Sequence, residues 1–141
     1  NNVSTLNTEL YFGKGGNILI VIDYQNRKPI YEQIVERFQM LIVKGIMEAD
    51  TKMPSVRSLA TELSINPNTI QKAYTILEQQ GYIYPVKGKG NFVSGNQALK
   101  EEQKTVFFEK LKKLIREGRE LEIPKELCLE KAAEFYEEGK S

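Results

Sequence analysis

Apolar positions divide the chain into segments of different period. "ILIVID", Ile18 to Asp23, is a short apolar run of strand length. "KPIYEQIVERFQMLIVKGIM" then places Ile30, Ile34, Phe38, Leu41 and Ile42 at the i, i+4, i+8, i+11, i+12 spacing of one helical face. Pro29 suits the first helical position and Gly45 the stop. "MPSVRSLATELSI" reads as a second helix. Ser55 is its N-cap, Val56, Leu59, Ala60 and Leu63 are its buried stripe, and Arg57 points away from that stripe. "NPNTIQKAYTILEQQGY" is a third, with Asn66 as cap, Pro67 in the first helical position and Gly81 at the close. Its apolar residues come late, at Ile70, Ala73, Tyr74 and Leu77, and its first turn is polar and uncharged.

Tyr82 to Val86 and Asn91 to Ser94 have strand character, and Lys87-Gly88-Lys89-Gly90 is the turn between them, since glycine supplies the positive φ of a tight hairpin. Two charged helices follow. "ALKEEQKTVFFEKLKKLIREG" has an apolar edge of Phe107, Leu111, Leu114 and Ile115. "IPKELCLEKAAEFYEEG" starts near Pro124, with Leu127, Cys128, Ala132 and Phe135 as its stripe. Residues 1–17 have no clear period and end in "GKGGN", which reads as a flexible leader. The expected organisation is a leader (1–17), a compact domain (18–95) and a helical appendage (96–141). The fold class is mainly α with a small β wing.

Composition narrows the chemistry. With 40% hydrophobic and 28% charged residues among 141, the chain is an ordinary globular protein, and its longest apolar run is far short of the roughly 20 residues of a membrane helix. It has no histidine and one cysteine. That removes a Cys–His pair, the usual zinc sets and an internal disulfide, and Cys128 is expected in the core. No secretory signal is recognisable, so the expected location is cytoplasmic. There is no nucleophile–base pair, metal-ligand cluster or phosphate loop, so no catalytic residue, metal or cofactor is expected, and an enzyme is disfavoured.

The net charge of +1 is unevenly spread. Lys52 to Gly95 holds five Lys/Arg against two Asp/Glu, a surplus of three, whereas Asn96 to Ser141 holds ten against eleven. Gln79 to Gly95 contains no acid. A basic middle suits a polyanionic partner.

Three helices followed by a hairpin is the order of a winged helix-turn-helix, and the Ser64–Asn66 link has the shortness that motif needs. Its second paired helix enters the DNA major groove by its N-terminal residues. On that reading Asn66, Asn68, Thr69, Gln71 and Lys72 are polar because they face phosphates and base edges. Ser55 and Arg57 at the second helix, and Lys87, Gly88, Lys89 and Gly90 in the wing, complete the candidate DNA-binding set. Each piece has a plainer explanation by itself: a helix cap, a solvated arginine, an exposed turn. Their common side in the fold favours the DNA reading. A winged helix serving as a protein–protein adapter is the alternative, disfavoured by the basic wing.

The string "MPSVRSLATELSINPNTIQKAYTILEQQGYIYPVKGKGNFVS", with "PIYEQI" upstream, resembles the DNA-binding domain of GntR-family bacterial transcription regulators. The resemblance covers about Ile18 to Gly95, and the short helical tail is similar to that of the YtrA-type subfamily. It implies that Arg57 meets the major groove, that Asn66 to Lys72 reads bases and backbone, and that Gly88 to Gly90 enters or tracks the minor groove. Many relatives carry arginine where this chain has Pro67 and Gln71, so their base preference does not transfer. "EAD" at Glu48 to Asp50 replaces the usual "PGD". Subfamily members are dimers. A homodimer is expected here too, holding a near-palindromic double-stranded DNA operator through two half-sites, acting mainly as a repressor and paired through Phe107, Leu111, Leu114, Ile115, Leu127 and Phe135; the alternative is that these stripes fold back onto the winged helix within one chain.

Overall fold

The computed structural model describes residues 10–11, 17–18 and 20–139. Most of the expected leader lies outside the described residues. Within it, β1 (Leu10–Tyr11) pairs antiparallel with β2 (Asn17–Ile18). The elements that follow are α1 (Ile30–Val43), α2 (Val56–Leu63), α3 (Pro67–Gln79), β3 (Ile83–Val86), β4 (Gly90–Val93), α4 (Ala98–Glu120) and α5 (Lys125–Glu138). They fall into two units, one through Lys100 and one from Glu101.

The first unit has a single core. Ile34, Phe38, Leu41 and Ile42 of α1, Leu59, Ala60 and Leu63 of α2, and Ile70, Ala73, Tyr74 and Leu77 of α3 are all buried. Each fully buried Leu, Ile or Phe contributes about 1.5–3 kcal/mol. Val35, off the expected stripe of α1, is buried as well. Phe38 and Tyr74 meet edge to face, their ring centres 6.0 Å apart.

The ends of α1 to α4 follow one rule. After α1, the Gly45 N–H donates to the Ile42 carbonyl and Ile46 N–H to Leu41. After α3, Gly81 and Tyr82 repeat the pattern onto Glu78 and Leu77. This paired closure needs a left-handed residue, and Gly45 (φ +77°) and Gly81 (φ +85°) provide it. Two other ends use the same closure without glycine. Ser64 (φ +55°) and Ile65 donate to Thr61 and Ala60 after α2, and Glu122 (φ +60°) and Ile123 donate to Arg119 and Gly118 after α4. The turn of the helix-turn-helix therefore stores backbone strain at Ser64.

Three sequence expectations are corrected. Pro29 is the N-cap of α1, one position before the helix, because Ile30 is the first residue in helical register. Of the strand expected over Ile18–Asp23, Ile18 is strand and Asp23 is an isolated bridge residue. Ile20 to Ile22 join no sheet among the described residues, and Ile20 and Ile22 are wholly buried. That stretch is instead clamped to α1: Gln33 accepts from Asp23 N–H at 2.9 Å and donates to the carbonyls of Asp23 and Lys28, both at 3.0 Å. Cys128 is half-exposed rather than in a core, because no residue of α5 is buried.

In the hairpin, Ile83 pairs with Val93, Tyr84 with Phe92, Pro85 with Asn91 and Val86 with Gly90. The turn is Lys87 to Lys89, with Lys89 N–H donating to the Val86 carbonyl, and Gly90 opens β4 at φ +112°. The stretch before α2 lies along β4 as a further edge. Asp50 N–H donates to Val93, Val93 N–H to Thr51 and Met53 N–H to Asn91, at 2.7–2.9 Å, and Lys52 bridges to Phe92.

The second unit is built differently. Phe107, Leu114 and Phe135 are 52%, 61% and 61% exposed, so the unit does not cover its own apolar stripes.

Ser64→Gly is expected to raise stability by about 0.5–1 kcal/mol, since relief of left-handed strain exceeds the added flexibility of the unfolded chain. A urea midpoint that rises with unchanged slope is the outcome to look for.

Candidate nucleic-acid interface

Three pieces of surface are held in fixed relation: the start of α2, the start of α3 and the wing. Tyr74 makes the first join. Its ring is buried in the core and its hydroxyl donates to the Pro54 carbonyl at 2.7 Å, tying the entry of α2 to the second turn of α3. Burial pushes its pKa far up, so the hydroxyl remains a donor at any physiological pH. Met53 N–H onto the Asn91 carbonyl makes the second join, between the wing and the entry of α2. Tyr82, buried three residues after α3, makes the third, its carbonyl accepting from Ser94 N–H at the end of the wing at 2.9 Å.

At α2, the Ser55 hydroxyl accepts from Ser58 N–H at 3.0 Å, so it caps the helix as expected. Arg57, two residues further on in the first turn, is exposed. At α3, Asn66 accepts from Asn68 N–H at 2.7 Å and Pro67 occupies the first position. Asn68, Gln71 and Lys72 are exposed and Thr69 is half-buried. Gln71 donates to Thr75 at 3.2 Å. The Lys72 ammonium sits 3.9 Å above the Tyr31 ring, which holds it against α1. Lys87, Gly88, Lys89 and Gly90 are all exposed at the wing tip.

The electrostatics of these two helix starts differ from those of the other three. Glu32, Glu101 and Glu126 lie in the first turns of α1, α4 and α5. The first turns of α2 and α3 carry no acid. Their partial positive charge is therefore uncompensated, which favours phosphate. Among the described residues no carboxylate lies within ion-pair distance of Arg57, Lys87 or Lys89; salt bridges formed elsewhere include Lys28 to Glu36, Lys104 to Glu101 and Lys131 to Glu134. No group of residues suited to a metal ion occurs among the described residues, and no described helix is long and apolar enough to cross a membrane.

Residues 30–93 match the signature described as "Bacterial regulatory proteins, gntR family". The chain is 46% identical over 99 residues to the HTH-type transcriptional repressor YtrA of Bacillus subtilis, covering 69% of this chain and 76% of that one. The chain belongs to the GntR family. It is a DNA-binding transcriptional regulator with a winged helix-turn-helix. Over 118 residues it is also 36% identical to the uncharacterized regulator YhcF of B. subtilis, covering 82% of this chain and 97% of that one. Among solved structures, a GntR family transcriptional regulator from Listeria monocytogenes superimposes with a TM-score of 0.67 at 38% identity, over 77% of this chain and 96% of that one. YtrA from Sulfolobus acidocaldarius, a GntR-family transcription factor, superimposes at 0.55 and 33% identity, over 65% and 96%.

Two features of this GntR-type surface escaped the sequence reading. "EADTKMPS" shows no strand alternation, so the third edge of the wing was invisible there. Tyr31 sits on α1, remote in sequence from its Lys72 partner, and only "PIYEQI" marked the stretch that contains it.

Tyr74→Phe is expected to cost about 1–3 kcal/mol, the penalty for leaving a half-buried carbonyl unpaired. It should also weaken DNA binding at subdenaturing temperature, because the two helix starts lose their common anchor. Thermal unfolding and fluorescence anisotropy with labelled duplex measure the two effects separately.

Proposed function

We propose that the chain is a repressor that binds a two-fold-symmetric operator as a homodimer and works by occlusion in the cytoplasm. The observation that carries this reading is the pair of acid-free helix starts, α2 and α3, set beside a wing tip whose lysines have no carboxylate partner among the described residues. α3 would enter the major groove through Asn66, Asn68, Thr69, Gln71 and Lys72. Asn and Gln pair with adenine, and Arg57, with Ser55 beside it, would take guanine or the flanking backbone. Lys87 to Gly90 would track the neighbouring phosphates or minor groove. The repressor name of the B. subtilis relative supports the direction of control.

One winged helix covers a short site. Two half-sites about 34 Å apart multiply the affinity, provided two copies are rigidly paired. The uncovered stripes of Phe107, Leu111, Leu114 and Ile115 on α4, with Leu127 and Phe135 on α5, support pairing through the second unit. The wild-type test is selection of bound fragments from a random DNA pool together with sedimentation. Inverted repeats and a dimer are expected. A monomer that ignores duplex DNA at low salt would overturn the proposal.

Two sets of variants refine it. Arg57→Ala should cost about 1–3 kcal/mol and relax base preference, whereas Lys89→Ala should weaken all sequences alike and flatten the salt dependence by about one unit per bound subunit. Gel-shift titration at several salt concentrations separates them. Leu114→Asp should sediment as a monomer and bind the selected operator about 10²–10⁴-fold more weakly, the avidity of a linked pair.

A further inference from the structure

The stretch before α2 gives the wing a third edge, and with it a third cation. Lys52 pairs with Phe92, which pairs in turn with Tyr84, so these three residues form one row across the sheet. Their neighbours Met53, Val93 and Ile83 are buried. Alternation therefore turns the Lys52 row to solvent. Lys52 is exposed there, beside the stacked rings of Tyr84 and Phe92, whose centres are 5.9 Å apart.

The direction in which Lys52 leans is set by a glycine. A Cβ on Gly90 would lie 3.3 Å from Lys52 Cε, so the bare backbone of Gly90 is the bed on which the lysine stem lies. The ammonium is one bond further on. It is thereby carried from its own strand to the first residue after the Lys87–Lys89 turn. The nearest acid in sequence on that face, Asp50, is occupied at the other side of the row, where it accepts the Tyr84 hydroxyl at 2.6 Å. Lys52 forms no ion pair among the described residues.

We propose that Lys52 is a phosphate-binding residue of the wing, acting with Lys87 and Lys89 on one stretch of DNA backbone. This rests on the DNA-binding reading of the wing above. Gly90 then has two tasks. It permits the backbone turn at φ +112°, and it leaves room for a lysine from outside the hairpin to reach the tip. The wing gains a charge that its own loop sequence does not contain.

The test compares full-length wild type, Lys52→Met and Lys52→Arg on a mixed-sequence duplex of about three helical turns. Affinity is measured across a salt series, with unfolding midpoints recorded in parallel. Methionine keeps the apolar stem on Gly90 and removes the charge. Lys52→Met is expected to lower the slope of log affinity against log salt by about one unit per bound subunit and to weaken binding about three- to tenfold per subunit near 0.15 M salt. Its unfolding midpoint should match wild type, and Lys52→Arg should restore slope and affinity. A wild type that binds while Lys52→Met keeps the wild-type slope overturns this inference alone, including where affinity falls together with the unfolding midpoint. A wild type that leaves the duplex unbound at low salt overturns the DNA-binding reading and this inference with it.

Discussion

The candidate DNA-facing surface depends on one side chain. Tyr74 places its ring in the core against Phe38 and its hydroxyl on the Pro54 carbonyl. A purely apolar residue there would fill the space and leave that carbonyl unpaired, at a cost of about 1–3 kcal/mol. The bond joins the loop entering α2 to the body of α3. Pro54 follows Met53, whose N–H is bound to β4. Core, α3, α2 and wing are thus linked within a few residues. A GntR-type reader needs this, because base contacts tolerate only small errors in the placement of helix and wing together.

Charge is distributed with the same economy. The first unit is only mildly basic, so steering by net charge is weak. Contrast is what the molecule offers: acids sit in the first turns of α1, α4 and α5 and are missing from those of α2 and α3. An acid at a helix start typically contributes 0.3–1 kcal/mol, so α2 and α3 forgo that stabilisation. Their caps, Ser55 and Asn66, recover part of it with neutral oxygen acceptors. The combination leaves the N-terminal amides of two adjacent helices available to an external anion.

How much was legible in the sequence varied with the range of the interactions involved. The stripes of α1, α2 and α3, the caps Ser55 and Asn66, and the stops Gly45 and Gly81 are local, so periodicity and residue type were enough to find them. Arg57, Asn68 and the wing lysines could be singled out as exposed and polar for the same reason. What was hidden depended on distant partners. The third wing edge exists because β4 offers it hydrogen bonds. Ile20 and Ile22 are buried without a ladder because α1 holds their segment through Gln33. Lys72 lies over Tyr31, forty-one residues earlier, and nothing in "NPNTIQK" indicates it. Ser64 takes the left-handed position that sequence reading would assign to glycine, because the closing bonds of Ser64 and Ile65 impose it.

Cys128 shows the same limit at the next level of organisation. Its stripe has helical spacing and apolar character, yet it is half-exposed on a helix that buries nothing. Spacing indicates that a face will be covered; it does not indicate by which molecule. Phe107, Phe108, Leu114, Leu129, Phe135 and Tyr136 are each more than half exposed on only two helices, an apolar surface that water opposes. The first unit closes its core with its own residues, so it can be positioned as a rigid reader. The second unit is left unfinished on its own, and in the proposed dimer pairing completes it. Folding of the tail and the spacing of two readers would then be one event, and any influence on the tail would act on operator affinity through the dimer.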